Sequence, residues 1–266
     1  MTPRDKLVQT VAALAALHAA KLTELKAEHV GLEREDFIWH YLLQALSTMG
    51  SSRGWHGLIH TPANYARVTY EALLPLSEAE RVEQADGAFR DAKMRMPTRK
   101  ARWTAANVER VRALGGLAAA RQALLEAPGA AGKIAFLKQF DGIGEKYGRN
   151  IMMDVHHPDF RDTIAIDVRI KNVLAALGIT LSEYEHDEQF LLGVAKDAGL
   201  SGWELDRILY NFTADVLAGL SGDVPVVGGS NAPVTDAEQE LLAAWRKLDP
   251  VDQRTVVQVV RSLSRK

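Results

Sequence analysis

Between Phe140 and Asn150 the chain reads FDGIGEKYGRN, with Gly142 and Gly144 flanking Ile143 and with Lys146 two residues beyond. Glycines at this spacing permit a tight turn and leave no Cβ in the way of an approaching group. Where such a turn enters a helix, the first N–H groups lack intrahelical partners and point outward, a site suited to a phosphate oxygen. Lys146 and Arg149 would add positive charge there. An ordinary helix–helix connection also uses glycine, so the turn alone leaves both readings open. Twenty-one residues past Lys146, Asp167 closes the short apolar run TIAI and opens a helical pattern that stops at Gly178. Asp is a good N-cap and Gly a good residue just past a helix C-terminus, so capping is a sufficient reason for both.

The elements that must position these residues read as helices. Leu7, Val11, Leu14, Leu22 and Leu25 recur at helical spacing and predict one amphipathic helix over 4–28. DFIWHYLLQALSTM predicts a second, with Asp36 as N-cap and an end at Gly50 and Gly54. Further patterns cover 63–74, 77–90, 99–114 and 117–127, and APGAAG (127–132) separates the last from the helix before the glycine turn. No internal repeat or alternating strand pattern is evident. After residue 220, SGDVPVVGGSNAP reads as a linker (223–233). Thr235 and Glu238 then form a capping box that opens a helical hairpin over 234–266.

The 266 residues are 47% hydrophobic and carry a net charge of −2, enough for a well-buried core. With no cysteine, disulfides, thiolate catalysis and cysteine-ligated clusters are excluded. No signal-peptide pattern or membrane-length apolar run is seen, so a cytoplasmic protein is expected, nucleoid-associated if bacterial. Charge is unevenly spread. From Phe89 to Arg112 eight basic residues, Lys100 and Arg102 among them, face only Asp91 and Glu109, giving +6 against −8 for the rest. Such a stripe steers polyanions to one face; it is also what a solvated helix surface looks like. His156, His157 and Asp159 raise the question of a metal, but adjacent histidines rarely face one ion and no further ligand has suitable spacing.

LKQFDGIGEKYGRN followed by TIAIDVRIKNVL resembles the helix-hairpin-helix, Gly/Pro-loop, Asp (HhH-GPD) superfamily of DNA glycosylases, most closely its endonuclease III branch. The likeness covers 137–178, with a looser match in TRKARWTAANVERVRALGGL (98–117). It implies an all-α, two-lobed helical fold with the helix-hairpin-helix at the cleft between lobes. One lobe would span 30–145 and the other would combine 1–29 with 146–222; the C-terminal helical hairpin is extra. The iron–sulfur ligands of the family are absent and only Pro158 remains of the Gly/Pro loop.

The resemblance implies base-excision repair: a damaged base is flipped out of duplex DNA and its N-glycosidic bond cleaved. Lys146 matches the nucleophile of members that also act as AP lyases through a Schiff base, and Asp167 matches the essential aspartate. An exposed lysine stays protonated at neutral pH, so Lys146 must be desolvated or lie near other cations. Gly142, Ile143, Gly144 and Arg149 would hold the DNA backbone, with Lys100, Arg102 and Arg53 as further phosphate contacts. Met49 would fill the gap left by the flipped base, although a core methionine at a helix end is an equal reading. Trp39, Trp55, His40 and His56 are candidates for stacking on the base or for the core, whereas Trp103 and Trp203 are assigned to the core. A monovalent cation, Na⁺ or K⁺, on the carbonyls of Phe140 and Ile143 is implied too, with no other cofactor. The partner would be double-stranded DNA bearing a damaged base or abasic site, no membrane is involved, and the protein is expected to be a monomer. Two alternatives stay open: a monofunctional glycosylase in which Asp167 activates water, and a non-catalytic DNA-binding hairpin protein.

Overall fold

In the computed structural model, residues 1–27 and 31–222 are described. The chain divides into two units, residues 1–226 and 227–266. The second unit lies outside the described residues, as do the expected linker, the Thr235–Glu238 box and the expected C-terminal hairpin.

The fold is all-α, with no strand among the described residues. In chain order the helices are α1 (Pro3–Leu17), α2 (Ala19–Ala27), α3 (Phe37–Thr48), α4 (Arg53–Leu58), α5 (Pro62–Ala66), α6 (Tyr70–Leu73), α7 (Glu78–Asp91) and α8 (Pro97–Ala113). They continue with α9 (Leu117–Glu126), α10 (Gly129–Leu137), α11 (Glu145–Asp154), α12 (Val168–Ala176), α13 (Tyr184–Asp197), α14 (Gly202–Asn211) and α15 (Thr213–Ser221). Local chemistry sets many of the starts. Thr2 with Asp5, Ser77 with Glu80 and Ser201 with Glu204 form reciprocal capping boxes for α1, α7 and α14.

Four expectations are corrected. The single helix over 4–28 is broken at His18, whose ring stacks on Phe212 with centroids 3.6 Å apart. Asp36 holds the N-cap position of α3, but its side chain makes no capping bond, because its carboxylate is taken by Arg34 and the Tyr65 hydroxyl. The 63–74 pattern forms two short helices, α5 and α6. APGAAG does not stay a separator: Pro128 is the N-cap of α10, and Gly129 takes a positive φ of 56° at its first position.

One apolar cluster runs through the described residues. Helix α1 packs on α13, α14 and α15, and α12 packs on α14 and α15. Helices α7 and α8 lie side by side, with α4 and α5 on α7, while α3 packs on α4 and α9. The hairpin α10–α11 touches α9 through its first helix and α3 through its second. Of the catalytic candidates, Lys146 lies in the first turn of α11 and Asp167 at the head of α12.

Candidate active site

The turn between α10 and α11 is closed by the Ile143 N–H donating to the Phe140 carbonyl at 3.1 Å. Gly142 has φ +88°, and a Cβ there would lie 2.7 Å from Leu46 and 2.9 Å from Trp103. Asn107, buried on α8, grips the turn from both sides: its Oδ1 accepts the Asp141 N–H at 2.8 Å and its Nδ2 donates to the Asp141 carbonyl at 3.1 Å. Gly144 differs in kind. Its φ is −113°, and nothing lies within 4 Å of where a Cβ would stand. The N-terminus of α11 therefore opens onto free space.

Lys146 stands just inside that helix, half-buried, with its Nζ 4.0 Å from the centre of the Tyr147 ring. Burial pushes its ammonium below the ordinary lysine value, while Asp167, Asp154 and Asp206 pull it back up. Arg207 adds a smaller push in the same direction as burial. Asp154, at the far end of α11, accepts from Gln44 Nε2 at 2.9 Å, Asn150 Nδ2 at 3.0 Å and Arg207 Nη2 at 2.9 Å. Burial raises its pKa against the pull of Arg207 and Lys146.

Asp167 caps α12 as its type predicts, its Oδ1 accepting from Arg169 N at 2.9 Å and Ile170 N at 3.0 Å. The segment before it, Thr163–Ile166, belongs to no helix or strand. Side chains satisfy its backbone instead. Ile164 N–H donates to Glu188 at 2.9 Å, Ala165 N–H to Asp206 at 2.8 Å and Ile166 N–H to the Tyr184 hydroxyl at 2.9 Å. The Tyr184 hydroxyl in turn donates to the Ile164 carbonyl at 2.8 Å. Sequence reasoning missed Asn107, Asp154, Glu188, Asp206 and Arg207. Their one signal is a charged or amide side chain at helical spacing among apolar ones, as Asp206 lies between Trp203 and Leu209.

Two expected DNA contacts are corrected. Lys100 is fully buried and donates to the Met49 carbonyl at 2.9 Å, with burial lowering its pKa to about 8. Its ammonium is spent on the end of α3 and faces no solvent. Arg149 is 5% exposed, and its guanidinium is shared between Glu188 and Glu145 while stacking 4.3 Å over the Tyr184 ring. Arg53 and Arg102 are exposed. Met49 is half-buried against the core at the end of α3, and the next carbonyl, Gly50, accepts from Arg95 at 3.2 Å. Trp39 is core, its Nε1 donating to the Val68 carbonyl at 2.7 Å. His40 is held by Tyr65, and burial lowers its pKa to about 4. Trp55 and His56 group with His60 on α4 and the residues just after it, His56 being exposed. Trp203 is core, and Trp103 lies half-buried under Arg99. His157 accepts from the Asp159 N–H, and Asp159 pairs with Lys133 at 2.8 Å. Among the described residues no three His, Cys, Asp or Glu side chains group as metal ligands, and no helix is long and apolar enough to cross a membrane. The Phe140 carbonyl accepts the turn's own bond and keeps a second lone pair.

No protein-family model and no curated protein matches this sequence. The fold is similar to that of an 8-oxoguanine DNA glycosylase. That crystal structure, from Methanocaldococcus jannaschii, superposes with a TM-score of 0.54 at 16% sequence identity, covering 77% of this chain and 92% of that one. At this identity the likeness to the glycosylase is one of fold.

Proposed function

We propose that the chain is a DNA base-excision glycosylase with an AP lyase step, acting on duplex DNA that carries an oxidised base. The reading is carried by one observation: a lysine amine depressed by burial, in the electrostatic reach of the N-cap carboxylate of α12 and beside the open N-terminus of α11. The glycosylase-like fold supports it. Because the fold neighbour is named for 8-oxoguanine, that base heads the substrates, followed by the oxidised pyrimidines of the endonuclease III branch.

The nucleotide is everted so that its sugar reaches the amine. Phosphates flanking it take the N–H groups at Gly144 and the start of α11, with Arg53 and Arg102 as outer contacts. A cation on the Phe140 and Ile143 carbonyls would offset phosphate charge at the turn. Deprotonated Lys146 Nζ bonds to the sugar C1′ as the C1′–N bond to the base breaks, and the base leaves with a proton. Asp167 stabilises the positive charge that builds on the sugar. The ring then opens: the C1′–O4′ bond breaks, O4′ takes the remaining proton of the nitrogen, and the C1′=N Schiff base forms. Loss of a proton from its C2′ then expels the 3′ phosphate and nicks the strand. The test is a panel of duplexes bearing 8-oxoguanine, oxidised pyrimidines or alkylated purines, scored separately for base release and nicking. Release and nicking that both vanish in Lys146→Ala support the reading. Release without nicking removes the lyase step, and DNA binding with no product from any lesion removes the enzyme.

A further inference from the structure

Lys146 and Asp167 belong to different helices, and their separation is set by whatever ties α11 to the segment before α12. One buried carboxylate touches both. Glu188 on α13 receives Arg149 Nε at 2.8 and 3.0 Å and Arg149 Nη2 at 2.6 Å. The same Glu188 accepts the Ile164 N–H at 2.9 Å. Arg149 lies three residues after Lys146, and Ile164 three before Asp167. Both ends of the bridge are closed from other sides. Arg149 Nη1 also holds Glu145 at 2.7 Å, and Tyr184, one turn before Glu188, bonds Ile164 and Ile166. Arg149 and Glu188 are almost wholly buried, so neither is placed to serve solvent or a polyanion.

Resting on the proposed function, we infer that Glu188 is a positioning residue: it spaces Lys146 from Asp167 by bonding Arg149 and the Ile164 amide at once. Its length matters as much as its charge. A rigid bidentate pair on one side and a backbone N–H on the other leave the carboxylate no freedom to shift toward either without releasing the other. Misplacing reacting groups by about an ångström costs on the order of 100-fold in rate, so a small error in this bridge registers in chemistry rather than in binding.

The test compares Glu188→Asp, which keeps the charge and shortens the arm by one methylene, with Glu188→Gln, which keeps the length and an acceptor oxygen. Glu185→Gln, on the exposed side of α13, is the control. Single-turnover base release is measured on the lesion duplex wild type cleaves best, beside affinity for a tetrahydrofuran-site duplex that cannot be cleaved. Glu188→Asp is expected to slow release about tenfold to 100-fold with affinity unchanged. Glu188→Gln should slow it less at temperatures where it is folded, and the control not at all. Wild-type release by Glu188→Asp, or a rate loss matched by lost affinity, overturns the inference. Amide exchange at Ile164 gives a reading independent of activity: it should quicken in Glu188→Asp. If wild type is inactive on every lesion, the proposed function fails, and unchanged exchange at Ile164 would overturn the bridge separately.

Discussion

The carboxylate of Asp206 accepts the backbone N–H of Ala165 at 2.8 Å, two residues before Asp167. An acid on α14 thereby holds the approach to the head of α12. Asp206 is 3% exposed, and burial first of all, then Asp167 and Asp154, raise its pKa to about 6 against the pull of Arg207 and the Ala165 N–H.

That elevation has a sign. The folded protein holds the Asp206 proton up to about pH 6, whereas the unfolded chain releases it near the ordinary 3.8. Between those values the native state binds more protons, so Asp206 lowers stability as pH rises through the window, by about 3 kcal/mol at most. Asp206→Asn keeps an oxygen for Ala165 and removes the titration. The gain in Tm that wild type shows at pH 4.5 relative to pH 7.5 from this group should disappear in the variant. An unchanged difference between the two pH values would contradict the assignment.

The two glycines of the turn should separate cleanly. Gly142→Ala meets a left-handed φ and two side chains, and should cost about 2 kcal/mol or more in denaturant unfolding. Gly144→Ala has no such conflict and should leave stability within about 0.5 kcal/mol. Its methyl group occupies the space a phosphate would need, so affinity for duplex DNA should fall.

Salt titration distinguishes buried from exposed cations. Arg102→Ala should reduce the slope of log affinity against log salt by about 1. Lys100→Met should leave that slope alone, because its ammonium is bonded to Met49 inside the protein. It should instead loosen the end of α3 and slow processing of a lesion duplex. A slope change in Lys100→Met equal to that of Arg102→Ala would return Lys100 to the DNA surface.

Arg149→Ala strips a buried partner from Glu188 and should destabilise the fold by about 3–5 kcal/mol. Thermal or denaturant unfolding reads this directly, and a neutral result would mean that the pair does not form in solution.

How much of this was legible in the sequence depends on what each residue's neighbours in the chain disclose. The glycine turn, the helices on either side and the capping role of Asp167 follow from short-range chemistry and were readable. So was the start of α7, since Ser77–Glu80 is a local device; Ser201–Glu204 is equally local, yet the helices between Gly178 and residue 220 were not read. Lys100 and Arg149 were misplaced because residue type predicts exposure, while burial depends on partners 51 and 39 residues away. Glu188, Asp154 and Asp206 look like ordinary helix acids until the fold brings Glu188 and Asp206 to the Ile164 and Ala165 N–H groups and Asp154 to Gln44 and Arg207. His18 shows the same limit at the fold level: nothing near it in sequence announces the ring of Phe212 that helps end α1.

The central claim, that Lys146 is the nucleophile and acts with Asp167, is tested most directly by borohydride trapping on duplex DNA with an abasic site. Wild type should yield a covalent protein–DNA adduct that survives denaturing electrophoresis, in greater yield as pH rises and the Lys146 amine loses its proton. Lys146→Ala should yield none while still binding the same duplex. An adduct formed undiminished by Lys146→Ala, or no adduct from wild type at any pH, would contradict the account.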